Sequence, residues 1–205
     1  MMKKQLPEED MNQAFDKRVY TTGRFLLDAA YIISRAPRII EAYYSKRVPW
    51  ALAEKIMLAV TAVNDCKHCA RFHGALAQLS GVEAEEIKGL LQMEIGAQVN
   101  DNERPVLQFA QEYAQTEGKP TQANLQELKR FYGEAATRDI LLYIRMINVG
   151  NLIGNTFDSL LERLKGRPAT YSRLFDELVI VITSSPFLVF INGFAAWHAF
   201  RRPPT

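Results

Sequence analysis

Apolar residues recur at helical spacing along almost the whole chain. Phe15, Val19, Phe25, Leu26, Ala29, Ala30 and Ile33 mark a first stretch reaching about Arg35, with Thr21-Thr22-Gly23 as a break within it. Pro37 closes that run, and Arg38 to Lys46 reads as a short helix. Pro49 stands where a first-turn proline belongs, ahead of a helix that runs to Val63 with an apolar face. Asn64-Asp65 is a break, and Asp65 is placed to cap the next helix, from Cys66 to about Leu79. Ser80-Gly81 stops that helix. Short helices follow at Ala84–Gln92, Pro105–Thr116 and Leu125–Tyr132. Ala136 to Leu164 carries the strongest pattern, weakened locally by Gly150 and Gly154. The β-branched run from Leu178 to Thr183 suits a strand or a buried helix; with every other element helical, it is taken as a buried helix.

The pattern therefore predicts an all-α fold, a single helical bundle. Three parts are expected: an N-terminal helical extension over residues 1–48, a core over 49–165, and an apolar C-terminal extension over 166–205. Composition fits a soluble globular protein, with 48% hydrophobic and 23% charged residues. A net charge of +2 gives no electrostatic case for nucleic acid. The first ten residues have positive charge and no apolar run, which argues against a signal peptide and for a cytoplasmic protein. Two cysteines make a poor disulfide framework, so their CxxC spacing points to redox or metal chemistry.

Both cysteines and two of the three histidines fall in one stretch, Glu54 to His73, with the pattern E-x11-C-x-H-C-x3-H. Cys66 is expected at or near the start of its helix and Cys69 one turn later on the same face. A helix start offers free amides and partial positive charge, both of which stabilise a thiolate. His73, four residues beyond Cys69, can take a thiol proton. A hairpin about Asn64-Asp65 would let Glu54 reach His73, giving an acceptor, a base and a nucleophile. His68 could serve Cys66 in the same way.

These five positions, Glu54, Cys66, His68, Cys69 and His73, resemble the signature of the alkyl hydroperoxidase D (AhpD) family, within the carboxymuconolactone decarboxylase superfamily. Weaker similarity runs from Pro49 to Lys165, through Gly81-Val82-Glu83-Ala84-Glu85-Glu86-Ile87 and Asn102-Glu103-Arg104-Pro105-Val106-Leu107-Gln108-Phe109-Ala110. The resemblance implies an all-α AhpD-like bundle, a homo-oligomer, and reduction of hydroperoxides by the CxxC pair. It implies Cys69 as the peroxidatic thiol, Cys66 as the resolving thiol and Glu54–His73 as the proton relay. Such a cycle takes a hydroperoxide as substrate and an external dithiol, lipoamide- or thioredoxin-like, as reductant, and it needs no metal, haem or flavin.

Other readings of the same residues are a general disulfide oxidoreductase, a redox-sensing binding protein, and a zinc site built from Cys66, Cys69 and His73. The zinc reading suffers because ligands at i, i+3 and i+7 on one helix do not readily surround a metal tetrahedrally. Two buried, inert cysteines are the plainest alternative. Asn148, Asn151 and Asn155 form a polar stripe, read as a core or subunit-contact network in preference to a substrate pocket. His198 beside Trp197 is read as packing. Leu178 to Phe200 lacks acidic and basic residues and is long enough to cross a bilayer, but Pro186, Asn192 and the Thr183-Ser184-Ser185 run interrupt it. It is expected to be a buried helical pair or an oligomer interface, without membrane association.

Overall fold

The computed structural model describes residues 15–96 and 98–201. The N-terminal decapeptide, on which the signal-peptide argument rests, lies outside them. The described residues form eight helices and no strand: α1 Thr22–Ser34, α2 Ala36–Ser45, α3 Trp50–Asn64, α4 Lys67–Leu79, α5 Ala84–Leu91, α6 Arg104–Gln115, α7 Gln122–Leu164 and α8 Leu174–Phe200. The fold is all-α, as the pattern predicts.

Local chemistry explains most boundaries. Thr21 starts α1 by accepting from the Arg24 amide, so the Thr-Thr-Gly segment begins a helix where a break inside one was expected. Pro37 sits in the first turn of α2, where its missing N–H costs nothing. Gly81, at φ 89°, follows the end of α4 in the left-handed region open to glycine. Inside α7, Gly133 is non-helical (φ 76°, ψ 166°), and the helix bends there, between the two helices read from the sequence.

The fold is centred on α3. Every residue from Leu52 to Thr61 is buried, so α3 is enclosed all round and not merely along one face. It packs against α4, α5, α6 and α7. Lys55, within this buried helix, is matched by Glu86 at 2.7 Å and Glu103 at 2.8 Å.

A second apolar cluster joins Tyr20, Leu152, Ile153, Ile180, Leu188 and Ile191, bringing together the C-terminal half of α7, α8 and the chain entering α1. The buried carboxylate of Glu177 accepts from Ser159 (2.6 Å) and Arg163 (2.6 Å), holding the start of α8 on α7. Asp176 accepts from the amide and hydroxyl of Thr22, tying α1 to the same place.

The C-terminal apolar stretch is one continuous helix through Pro186 and not a helical pair. Only the stripe Glu177, Ile180, Ser184, Leu188 and Ile191 is buried, at the i, i+3, i+4 spacing of one face. Ile182, Val189, Phe190, Trp197 and Phe200 are exposed. By length and composition α8 could cross a membrane, and 22% of its most apolar window is buried within the chain. Instead of standing free, it lies along α4 and α7.

Candidate redox site

α4 enters the site with its first turn. Asp65 is in the left-handed region (φ 49°, ψ 48°) as the last residue of the α3 terminus, and its carboxylate pairs with Lys17 at 2.8 Å. It does not cap α4. Cys66 occupies that position itself: its backbone is extended, and its Sγ accepts from the Cys69 amide at 3.5 Å. The sulfur thus stands where a serine or aspartate oxygen would, facing the free amides of the helix. Cys69 lies one turn later; both thiols are free and almost fully buried.

The second half of α7 forms the floor of the site. A Cβ built on Gly154 would lie 2.6 Å from Cys66 Sγ, and one on Gly150 would lie 3.7 Å from Cys69 Sγ and 3.4 Å from a Phe187 ring carbon. These glycines, expected only to weaken α7, let it pass beneath the two sulfurs. The asparagine stripe lies beside them and joins α7 to α3. Asn64 donates to Asn148 at 3.1 Å, Thr61 donates to Asn151 at 3.1 Å, and Asn155 donates to the Asn64 carbonyl at 2.8 Å. This is a core network, as expected of the stripe.

α4 also carries the histidines of two carboxylate–histidine pairs. Glu54 Oε2 and His73 Nδ1 are 2.8 Å apart across the α3–α4 hairpin, the approach expected from the sequence. Glu54 is fully buried, and its other oxygen, Oε1, has no protein partner among the described residues. A carboxylate at Nδ1 fixes the proton there and leaves Nε2 free to accept. His68 is held differently. Its Nε2 is 2.9 Å from Asp158 Oδ1 on α7, and its Nδ1 is 2.8 Å from Asn192 Oδ1 on α8. Lys67 meets the same Asp158 oxygen at 2.8 Å. Burial opposes a charged His68, but the bonds to Asp158 and Asn192 and the Asp158 charge outweigh it and raise the His68 pKa. Asp158 is likewise penalised by burial, yet bonds from His68 and Lys67 bring its carboxyl below the usual range. Both ring nitrogens of His68 thus face side-chain oxygens, Nδ1 that of Asn192 and Nε2 that of Asp158.

The thiols differ as well. The hydrogen bond from Cys69 lowers the Cys66 pKa most, and the Cys69 and His68 amides and the His68 charge act with it against burial. The Cys69 thiol is pushed well up, first by its bond to Cys66 and then by burial. Of the two, Cys66 is thus the more readily ionised. The sequence resemblance, by contrast, implies Cys69 as the reactive thiol.

A comparison with known families bears on the same stretch. Residues 40–112 match the carboxymuconolactone decarboxylase family. The match supports the AhpD-like resemblance, and the matched segment holds Glu54, Cys66, His68, Cys69 and His73. It covers less than half of the chain, ending within α6, and leaves α7 and α8 outside. No curated protein and no solved structure matches the chain. The carboxymuconolactone decarboxylase family includes enzymes, both decarboxylases and peroxidase-like proteins.

Gly150, Gly154, Asp158 and Asn192 complete the site from outside the family segment. Sequence reasoning passed over them, although a signal existed. Asp158 extends the asparagine stripe by a further three residues, and Asn192 is an isolated amide in an apolar run.

Proposed function

We propose that the protein is a cysteine-based peroxidase that reduces hydrogen peroxide or organic hydroperoxides at Cys66 and Cys69, drawing electrons from a lipoamide- or thioredoxin-like dithiol. The observation supporting this most directly is the capped, hydrogen-bonded Cys66 sulfur with a second thiol one turn away. Two carboxylate-held histidines, His68 and His73, share the helix with them.

In the first step the Cys66 thiolate attacks the distal oxygen of the hydroperoxide. An S–O bond forms and the O–O bond breaks, leaving a sulfenic acid and an alkoxide that takes a proton to become an alcohol. In the second step Cys69 gives its proton toward His73 and attacks the Cys66 sulfur. The S–S bond forms and hydroxide leaves, to become water on protonation. The external dithiol then reduces the disulfide through a mixed disulfide and departs oxidised, returning two electrons and two protons. Glu54 holds the Nδ1 proton of His73 and stabilises the imidazolium once Nε2 accepts a proton.

The decisive experiment is peroxide consumption with several dithiols, combined with trapping of sulfenic acid in Cys66→Ser and Cys69→Ser. Turnover, with sulfenic acid at Cys66 in the Cys69→Ser protein, supports the reading. Sulfenic acid confined to Cys69 would restore the order that the family resemblance implies. A general disulfide oxidoreductase is the second reading, because a lowered pKa at the first cysteine of a CxxC also suits disulfide exchange. Reduction of a small disulfide without peroxide turnover would favour it. We place the cycle in the cytoplasm, where dithiol reductants are maintained, and in a homo-oligomer that covers the outer face of α8.

A further inference from the structure

We propose that Asp158 and Asn192, on the two helices beyond the family segment, are positioning residues that hold His68 as a fixed imidazolium beside the Cys66 thiolate. The inference deepens the redox reading above and rests on Cys66 being the resident thiolate.

The argument is one of donors and acceptors. The Asn192 amide is oriented by its own helix, since Nδ2 donates to the Leu188 carbonyl at 2.8 Å. Its Oδ1 therefore faces His68 Nδ1 at 2.8 Å. Turning the amide over would set oxygen against oxygen at Leu188 and lose that bond. On the other side of the ring, Nε2 faces Asp158 Oδ1 at 2.9 Å. Neither acceptor has a proton to give: an amide oxygen never does, and Asp158 is kept ionised by Lys67 and His68. A neutral imidazole has one N–H and would leave one of these contacts as two lone pairs face to face. Only the imidazolium donates to both.

The surroundings agree with a built site. His68 is 6% exposed, and its ring is tilted against Phe157 at 5.4 Å. The absence of a side chain at Gly154 makes room for it; a Cβ there would lie 3.5 Å from His68 Cδ2. The charged and titratable groups facing His68 are Asp158 from α7 and Lys67 and Cys66 from the start of α4. Asn192 from α8 adds an amide and no charge, and α8 has no acidic or basic residue between Leu178 and Phe200 apart from His198. Two cations and two anions then close a neutral cluster, Lys67 and His68 against Asp158 and the Cys66 thiolate. A buried ion pair persists only when its remaining polar atoms are also satisfied, and Asn192 satisfies the last N–H.

This gives α8 a role in the chemistry. His68 remains a cation throughout the cycle: its charge favours the Cys66 thiolate, and neither of its protons is passed on. His73, held at only one nitrogen, is left as the group that exchanges a proton.

The test reads His68 and Cys66 directly, without peroxide or reductant. Imidazole nitrogen NMR of the reduced protein should show His68 still protonated at both nitrogens above the ordinary histidine range, near 6.5. Asp158→Asn should lower its titration midpoint by about one unit or more and raise the pH midpoint of Cys66 alkylation in parallel. Asn192→Leu should act in the same direction, and Asn192→Asp, which restores an acceptor, should recover the wild-type profiles. A wild-type His68 that titrates in the ordinary range, near 6.5, overturns the proposal whatever the variants do. So does an Asp158→Asn protein, folded by circular dichroism, whose Cys66 profile is unmoved. Loss of peroxide turnover with these profiles intact would instead count against the peroxidase reading alone.

Discussion

Gly154 and Cys66 approach so closely that a Cβ on the glycine would stand 2.6 Å from Sγ, nearer than such atoms can come. The contact links the start of α4 to a part of α7 outside the matched segment. Gly154→Ala is expected to displace Cys66 or to cost roughly 1–3 kcal/mol by overpacking. Gly150→Ala meets Cys69 Sγ at an ordinary 3.7 Å and should be tolerated, helped by the better helix propensity of alanine. Thermal unfolding and the alkylation rate of Cys66 measure both effects. An unchanged Gly154→Ala protein would refute the packing argument.

Cys66 and Cys69 should form a reversible disulfide on mild oxidation. They begin as free thiols with the Cys66 sulfur against the Cys69 amide. Mass spectrometry of the peptide should show the loss of two hydrogens, restored by a dithiol. Thiols that stay alkylatable after treatment would rule out the cycle.

His73→Gln should reduce peroxide turnover by roughly 100-fold to 10,000-fold, the usual range for a lost general base. Glu54→Gln should cost less, because an amide oxygen still accepts from Nδ1 but supports the imidazolium poorly. Neither change should move the alkylation profile of Cys66, which depends on His68. Full activity in His73→Gln would remove the relay from the mechanism.

Stability should fall at both ends of the pH scale, for separate reasons. The carboxyls of Asp158 and Glu177 lie below their ordinary values; burial opposes this and the bonds from His68, Lys67, Arg163, Ser159 and Ser172 outweigh it. Their contribution is present above the ordinary carboxylate range, near pH 4, and is lost as pH falls through the folded values. His68 is shifted upward, so its contribution is complete below about pH 6.5 and disappears as pH rises through its folded pKa. Urea midpoints against pH should show both losses. Asp158→Asn should flatten them together, whereas Glu177→Gln should remove only part of the acid limb.

Sedimentation should show a homo-oligomer without detergent. Exposed Ile182, Val189, Phe190 and Phe200 on α8, with Leu27 and Ile33 on α1, leave apolar surface of the kind that association covers. A clean monomer at micromolar concentration would contradict this, and recovery in the membrane fraction would assign α8 to a lipid surface.

The sequence alone determined the helices and the motif. Helical periodicity, Pro37, Pro49 and Gly81 act within one or two turns, so their effect can be read locally. The Glu54–His73 pair could be anticipated because 19 residues of helix, turn and helix return upon themselves. What holds His68 could not be anticipated in this way. Its partners lie 90 and 124 residues away on α7 and α8, and only packing brings those helices to the start of α4. The same holds for Gly150 and Gly154, whose local signature is a weakened helix and whose effect is a close passage beneath two sulfurs. Which of the two thiols is the more acidic was also decided by tertiary structure. Periodicity placed both cysteines at a helix start, but their acidities depend on burial, on the Cys69 hydrogen bonds and on the charge of His68, which is held by residues distant in sequence.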